Sequence, residues 1–97
     1  MQPRISVRGD AHMTDETKEH INKACTKLQQ FYDHIVDCEV MVDKNKVGTS
    51  VELVVKVPHQ TLAASSCDEN LYKALSEAQD RLEVQLKKYH DKLVAHR

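Results

Sequence analysis

Apolar residues recur along this chain with two periods, one of two residues and one of three to four, and the switches between them mark six elements. Gln2 to Arg8 alternates, with Ile5 and Val7 on one face, and predicts a first strand ended by the turn signal Gly9-Asp10. Ile21, Ala24, Cys25, Leu28, Phe31, Tyr32 and Ile35 then follow the helical period, marking a helix that runs to about Tyr32. Thr14 is placed to cap it, and Asp15 and Glu16 supply negative charge to its first turn. Asp37 to Asp43 alternates again, with Cys38, Val40 and Val42 opposite Glu39, Met41 and Asp43. Lys44 to Ser50 is a polar connection containing Gly48 and suits a hairpin. Val51 to Val57 is the strongest strand, with Val51, Leu53, Val55 and Val57 on one face and Glu52 and Lys56 on the other. Pro58-His59-Gln60 reads as a turn, and Thr61 to Ser65 as a short strand leading into the last element.

That last element, Ser66 to Arg97, organises the chain. Leu71, Leu75, Ala78, Leu82, Leu86, Tyr89 and Leu93 share one face of a helix. Ser66 and Glu69 have capping-box spacing, and no Gly or Pro interrupts the run from Asn70 onward. A helix of roughly 28 residues would be about 40 Å long. It exceeds what the core requires, so its far end is expected to project or to lie along something.

The order strand, helix, three strands, helix predicts an antiparallel meander of the late strands, joined to the first strand by a helical crossover. Two helices with one apolar face each cover one side of a four-stranded sheet. The expected fold class is therefore α+β: a β-α-β-β-β-α two-layer sandwich with one open sheet face, formed by residues 1–97 as a single domain. The 97 residues, 40% apolar and 30% charged, are enough for one core. With aromatics scarce (Phe31, Tyr32, Tyr72 and Tyr89), that core must be aliphatic. No run is long enough to span a membrane, and the N-terminus lacks a signal-peptide core. Three widely spaced cysteines fit free thiols in a reducing cytoplasm, with Cys25 and Cys38 as small core residues.

The candidate chemistry is narrow. His12, His20, His34, His59, His90 and His96 show no metal-binding spacing, and no metal site or cofactor is expected. Glycine-rich phosphate loops and nucleophile motifs are absent, which argues against an enzyme. Charge is more informative. The formal net charge is −1, so attraction to a polyanion must come from a local patch. Lys87, Lys88, Lys92 and Arg97 dominate the end of the last helix, and at about 100° per residue Arg81, Lys88 and Lys92 share a narrow stripe beside the apolar face. Lys23 and Lys27 lie one turn apart on the first helix. If the helices lie side by side, these five line one groove or ridge suited to phosphates. Folded RNA suits such a surface better than DNA, for which the layout offers no recognition helix. Solvated helix faces, with charge complementing the helix dipole, account for the same pattern. A protein-interaction or dimerisation module using the open sheet face, without RNA binding, is the rival from another class.

The chain also resembles the short ribosome hibernation-promoting factors of the ribosome-associated inhibitor and sigma-54 modulation family. The similarity runs from Met1-Gln2 and Thr14 through Lys23-x-x-x-Lys27-Leu28, Phe31-Tyr32-Asp33-His34-Ile35, Val40-Met41-Val42, Ala64-Ser65 and Leu71-Tyr72-Lys73-Ala74-Leu75. Its most specific part is Arg81-Leu82-x-x-Gln85-Leu86-x-Lys88-x-x-Asp91-Lys92-Leu93. The resemblance implies a fold similar to double-stranded-RNA-binding domains. It further implies a cytoplasmic regulator that binds the small ribosomal subunit and its rRNA in the mRNA and tRNA channel. Such factors block translation in stationary phase or stress and promote inactive ribosome dimers together with ribosome modulation factor. Lys23, Lys27, Arg81, Lys88 and Lys92 match the family's basic surface, and Lys87 is added as a neighbouring phosphate contact. Val84 and His90 depart from it, standing where members often carry Arg and Lys.

Overall fold

The computed structural model describes residues 4–9, 14–32 and 35–95. Six elements follow in the expected order: β1 (Arg4–Gly9), α1 (Asp15–Phe31), β2 (Asp37–Lys44), β3 (Thr49–Val57), β4 (Gln60–Asp68) and α2 (Leu71–Ala95). Gln2 and Asp10, which the sequence assigns to the first strand and its turn, lie outside the described residues, as does Arg97.

The sheet has the order β1-β2-β3-β4. β1 runs parallel to β2, so the chain must cross over between them, and α1 is that crossover. The β2–β3 and β3–β4 pairs are antiparallel hairpins. Register converts the alternation in sequence into rows across the sheet. Ile5, Val40, Leu53 and Ala64 form one row, and Val7, Val42, Val51 and Ser66 the next. Both point into the helical layer, where Ile21, Ala24, Cys25 and Leu28 of α1 meet Ala74, Leu75, Ala78, Leu82 and Leu86 of α2. Each helix thus buries the stripe that its apolar period defines.

The hairpins are made by local chemistry. Asn45 Oδ1 accepts from the Val47 and Gly48 amides, at 2.9 and 3.2 Å, and closes the β2–β3 connection. Gly48 sits at φ 156°, where a side chain is strained, and an added Cβ would lie 3.3 Å from the Asp68 carbonyl oxygen. Pro58 and His59 form the two-residue β3–β4 turn, with His59 in the left-handed region at φ 68°.

Thr14 caps α1 as expected, its hydroxyl accepting from the Thr17 amide at 3.1 Å. The expected cap of α2 is wrong. Ser66 belongs to β4, which extends to Asp68 instead of ending at Ser65, and its hydroxyl donates to Glu77 Oε2 at 2.6 Å. Asn70 caps the helix instead, with Oδ1 accepting from the Tyr72 amide at 2.9 Å and more weakly from Lys73. The reason is register: Leu62, Ala64 and Ser66 alternate inward together, and β3 offers pairing partners as far as Thr49 opposite Asp68. The S-x-x-E spacing lost to a strand ladder whose partner, β3, lies outside the local sequence. α2 has 25 residues, a length of about 37 Å.

Cys25 and Cys38 are both buried, with Sγ atoms 3.2 Å apart, and this contact seats α1 on β2. The hydrogen bond with Cys38, and behind it burial, push the Cys25 thiol far above its ordinary value. α2 lies on β3 and β4, and the two helices therefore divide the sheet between them. The other sheet face is polar, with Arg4 bridging Asp37 and Glu39 at one end and Glu52 near its centre.

Candidate RNA-binding surface

α2 is held along the free edge of β4 by three side chains on one flank. In a two-residue hairpin the residues flanking the turn, Val57 and Gln60, bond to each other, so Thr61, Ala63 and Ser65 direct their backbone groups away from β3. Arg81 Nη1 donates to the Ser65 carbonyl and Gln85 Nε2 to the Ala63 carbonyl, each at 2.6 Å. Tyr89 donates its hydroxyl to the Pro58 carbonyl at 3.2 Å. Steps of four along the helix match steps of two along the antiparallel strand, about 6 Å against about 6.8 Å. Arg81 and Gln85 thereby occupy an edge that would otherwise invite strand pairing. Lys88 and Lys92 follow on the same flank, exposed, beside a recess lined by Gln60, Leu62, Gln85 and Tyr89.

α1 runs along the opposite flank. Tyr72 stacks edge-on against His20, with ring centroids 4.6 Å apart, and shares a hydrogen bond with Thr17. Further along, the Tyr32 hydroxyl donates to the Glu83 carbonyl at 3.5 Å. Burial against α2, then the charges of Glu83 and Asp91, hold the Tyr32 phenol above its ordinary value. Lys87 lies one turn beyond Glu83 and faces this side. Lys27, seven residues beyond His20, shares the flank of α1 that looks toward α2, with Lys23 farther out.

The six predicted residues thus fall into two groups. Lys23, Lys27 and Lys87 border the inter-helix side, whereas Arg81, Lys88 and Lys92 border β4, with the body of α2 between them. The groove or ridge expected for five of these residues resolves, on helix angles set by the Tyr72, Glu83 and Ser65 contacts, into two flanks of α2. A helical wheel gives the angle of the stripe but not the side on which α1 will pack.

Charge pairing distinguishes the residues further. Lys23 Nζ lies 3.8 Å from Glu19 Oε1, an exposed pair of small value. Among the described residues, no carboxylate lies within 4.0 Å of Lys27, Arg81, Lys87, Lys88 or Lys92. Arg81 spends one nitrogen on Ser65 and retains donors of its planar fork for a further acceptor. Gln85, quoted in the sequence only as part of the Arg81–Leu93 motif and not as a site residue, lies within about 40° of the Arg81 stripe. The described residues contain no group of three or more metal-ligating side chains, and no described helix is long and apolar enough to cross a membrane.

A sheet layer and a helical layer that carries these cations define this as a two-layer α+β module of the β-α-β-β-β-α class. The same fold occurs in the N-terminal domain of Thermus thermophilus Protein Y, with TM-score 0.81 and 24% identity, covering 92% of this chain and 99% of that one. A ribosomal subunit interface protein from Coxiella burnetii gives TM-score 0.83 at 24% identity, covering 94% and 99%. The chain belongs to the Sigma 54 modulation protein / S30EA ribosomal protein family, whose profile matches residues 5–94. It is 30% identical over 80 residues to ribosome-associated factor Y of Haemophilus influenzae, covering 82% of this chain and 75% of the relative. It is 27% identical over 94 residues to the ribosome hibernation promoting factor of Escherichia coli K12, covering 96% and 99%. The ribosome hibernation promotion factor of Bacillus subtilis is 28% identical over 92 residues, which are 91% of this chain but only 49% of that protein. The chain thus spans about half the length of the Bacillus relative.

Proposed function

We propose that this protein is a cytoplasmic ribosome hibernation factor. It binds rRNA of the small subunit in the channel for messenger and transfer RNA, and so blocks translation in stationary phase or stress. The observation that carries this reading is the pair of cation groups flanking α2, five of whose members meet no carboxylate within 4.0 Å among the described residues. Cations already neutralised within the protein gain little from phosphate, whereas these release counterions from RNA when they bind. α2 suits the task mechanically. Its buried stripe and its bonds to β4 fix the helix axis, so the lysines present charge from a rigid rod.

The names of the relatives support the ribosome as the polyanion. Inhibition then follows from steric exclusion, without a chemical step. Promotion of inactive ribosome dimers is assigned to joint action with ribosome modulation factor. Co-sedimentation with purified ribosomes at low and high salt, with messenger RNA and initiator transfer RNA as competitors, tests the reading. Salt-sensitive binding displaced by the competitors is expected. Protein that stays in the supernatant at both salts sinks it. Dimer promotion is read separately, on sucrose gradients with and without modulation factor.

A further inference from the structure

Resting on this reading, we propose that the recess between α2 and the start of β4 is a nucleoside-phosphate site that accepts one unpaired nucleotide. It has a volume of about 170 Å³ and is lined by Gln60, Leu62, Gln85, Lys88, Tyr89 and Lys92. Three features set it apart from a row of surface lysines. Its wall includes the half-buried Tyr89, an aromatic side chain that a bare phosphate or a duplex backbone would not use. Its polar walls are tied: Gln85 to the Ala63 carbonyl and Tyr89 to the Pro58 carbonyl. Its two cations stand one helical turn apart, about 6 Å along the axis, so both ammonium groups can reach the oxygens of one phosphate.

The chemistry of the walls selects the ligand. A paired base stacks inside its helix and shows neither face to a protein recess, whereas an unpaired nucleotide offers a phosphate and an apolar ring together. Lys88 and Lys92 take the phosphate, and the base lies against Tyr89. The carbonyl of Ala63 can only accept, so the Gln85 amide must turn its NH₂ to β4. Oε1 is then the group left for a ligand, and it accepts a hydrogen bond from an exocyclic amino group. Adenine, cytosine and guanine carry such a group; uracil has only its ring N3–H, set between two carbonyl oxygens that repel the acceptor Oε1. The same chemistry is met by an unpaired residue within an RNA strand and by a free mononucleotide.

Amide NMR titration of the full chain separates these cases. The probes are adenosine monophosphate, uridine monophosphate, adenosine, inorganic phosphate, and five-residue single strands of adenylate and uridylate. Adenylate probes should shift Gln60, Leu62, Gln85, Lys88, Tyr89 and Lys92. They should bind more tightly than uridylate, adenosine or phosphate. A strand that binds more tightly than the mononucleotide points to RNA as the source, and equal affinity points to a free nucleotide. Lys88→Glu with Lys92→Glu, both at exposed positions, should weaken adenylate about tenfold or more, since each removes a charge-assisted bond. Inorganic phosphate binding as well as adenylate, or shifts spread over the helices without the recess, would overturn the proposal. Ribosome co-sedimentation of the wild type distinguishes the failures. Binding without nucleotide shifts overturns the recess alone, and loss of both overturns the RNA reading as well.

Discussion

Replacing Lys88 and Lys92 together with alanine should change the salt dependence of ribosome binding more distinctively than its strength. Five cations of the helical layer meet no carboxylate within 4.0 Å among the described residues, namely Lys27, Arg81, Lys87, Lys88 and Lys92. At about 0.8 per phosphate contact, between the duplex and single-strand values, five contacts give a log–log slope near −4. Raising monovalent salt from about 0.1 to about 0.3 M would then weaken the native protein about 80-fold. The double variant keeps three contacts, a slope near −2.4, and a loss of about 15-fold over the same range. Both side chains are exposed, so stability should stay within about 0.5 kcal/mol and the effect cannot be charged to unfolding. The assay is filter binding or co-sedimentation at four or more salt concentrations with magnesium held constant. A slope unchanged by the double substitution would refute the assignment of these lysines to phosphates, even if affinity fell.

Cap assignment at α2 is checked by urea denaturation. Asn70→Ala should cost about 1 kcal/mol, whereas Glu69→Ala should be nearly neutral; the reverse order would restore the capping box. Ser66→Ala should cost about 1.5 to 3 kcal/mol, because it removes a 2.6 Å bond to the Glu77 carboxylate at a buried position. Tyr32 supplies a pH test. Its phenol is raised in the fold above its unfolded value of about 10, so the folded state favours the protonated form. That contribution is complete below the unfolded pKa and is lost as pH rises through it toward the folded one. The stability advantage of wild type over Tyr32→Phe should therefore shrink above pH 10, and a constant difference from about pH 8 to 11 would contradict the assignment. Thiol labelling should find Cys67 at once and Cys25 and Cys38 only through opening of the core, since Cys67 alone is exposed. Three cysteines labelled at one rate would rule out the buried pair.

Much of this architecture is legible in the order of residues because burial and period are coupled locally. Cys38, Val40 and Val42 could not all reach a core except as alternate residues of a strand. Ile21, Ala24, Cys25 and Leu28 could not do so except along one side of a helix. Thr14 capped its helix because the amide it serves is three residues away. The six elements, their order and most of the core are set at this range. So is the stripe shared by Arg81, Lys88 and Lys92.

Two outcomes belonged to the tertiary structure. Ser66 satisfied a helix-cap pattern and a strand alternation equally well. Its allegiance was decided by Val51, fifteen residues earlier and paired with it across the sheet, and by Glu77 on the helix above. The grouping of the cations was decided by where α1 packs. α1 crosses between β1 and β2 and rests on β2 through Cys25 and Cys38, while α2 covers β3 and β4. Lys23, Lys27 and Lys87 were therefore left on one flank of α2, and Arg81, Lys88 and Lys92 on the other. Periodicity fixes the angle of a side chain about its own helix. The neighbour it faces is fixed by strand order and crossover, which join residues too far apart in the chain for any local pattern to report.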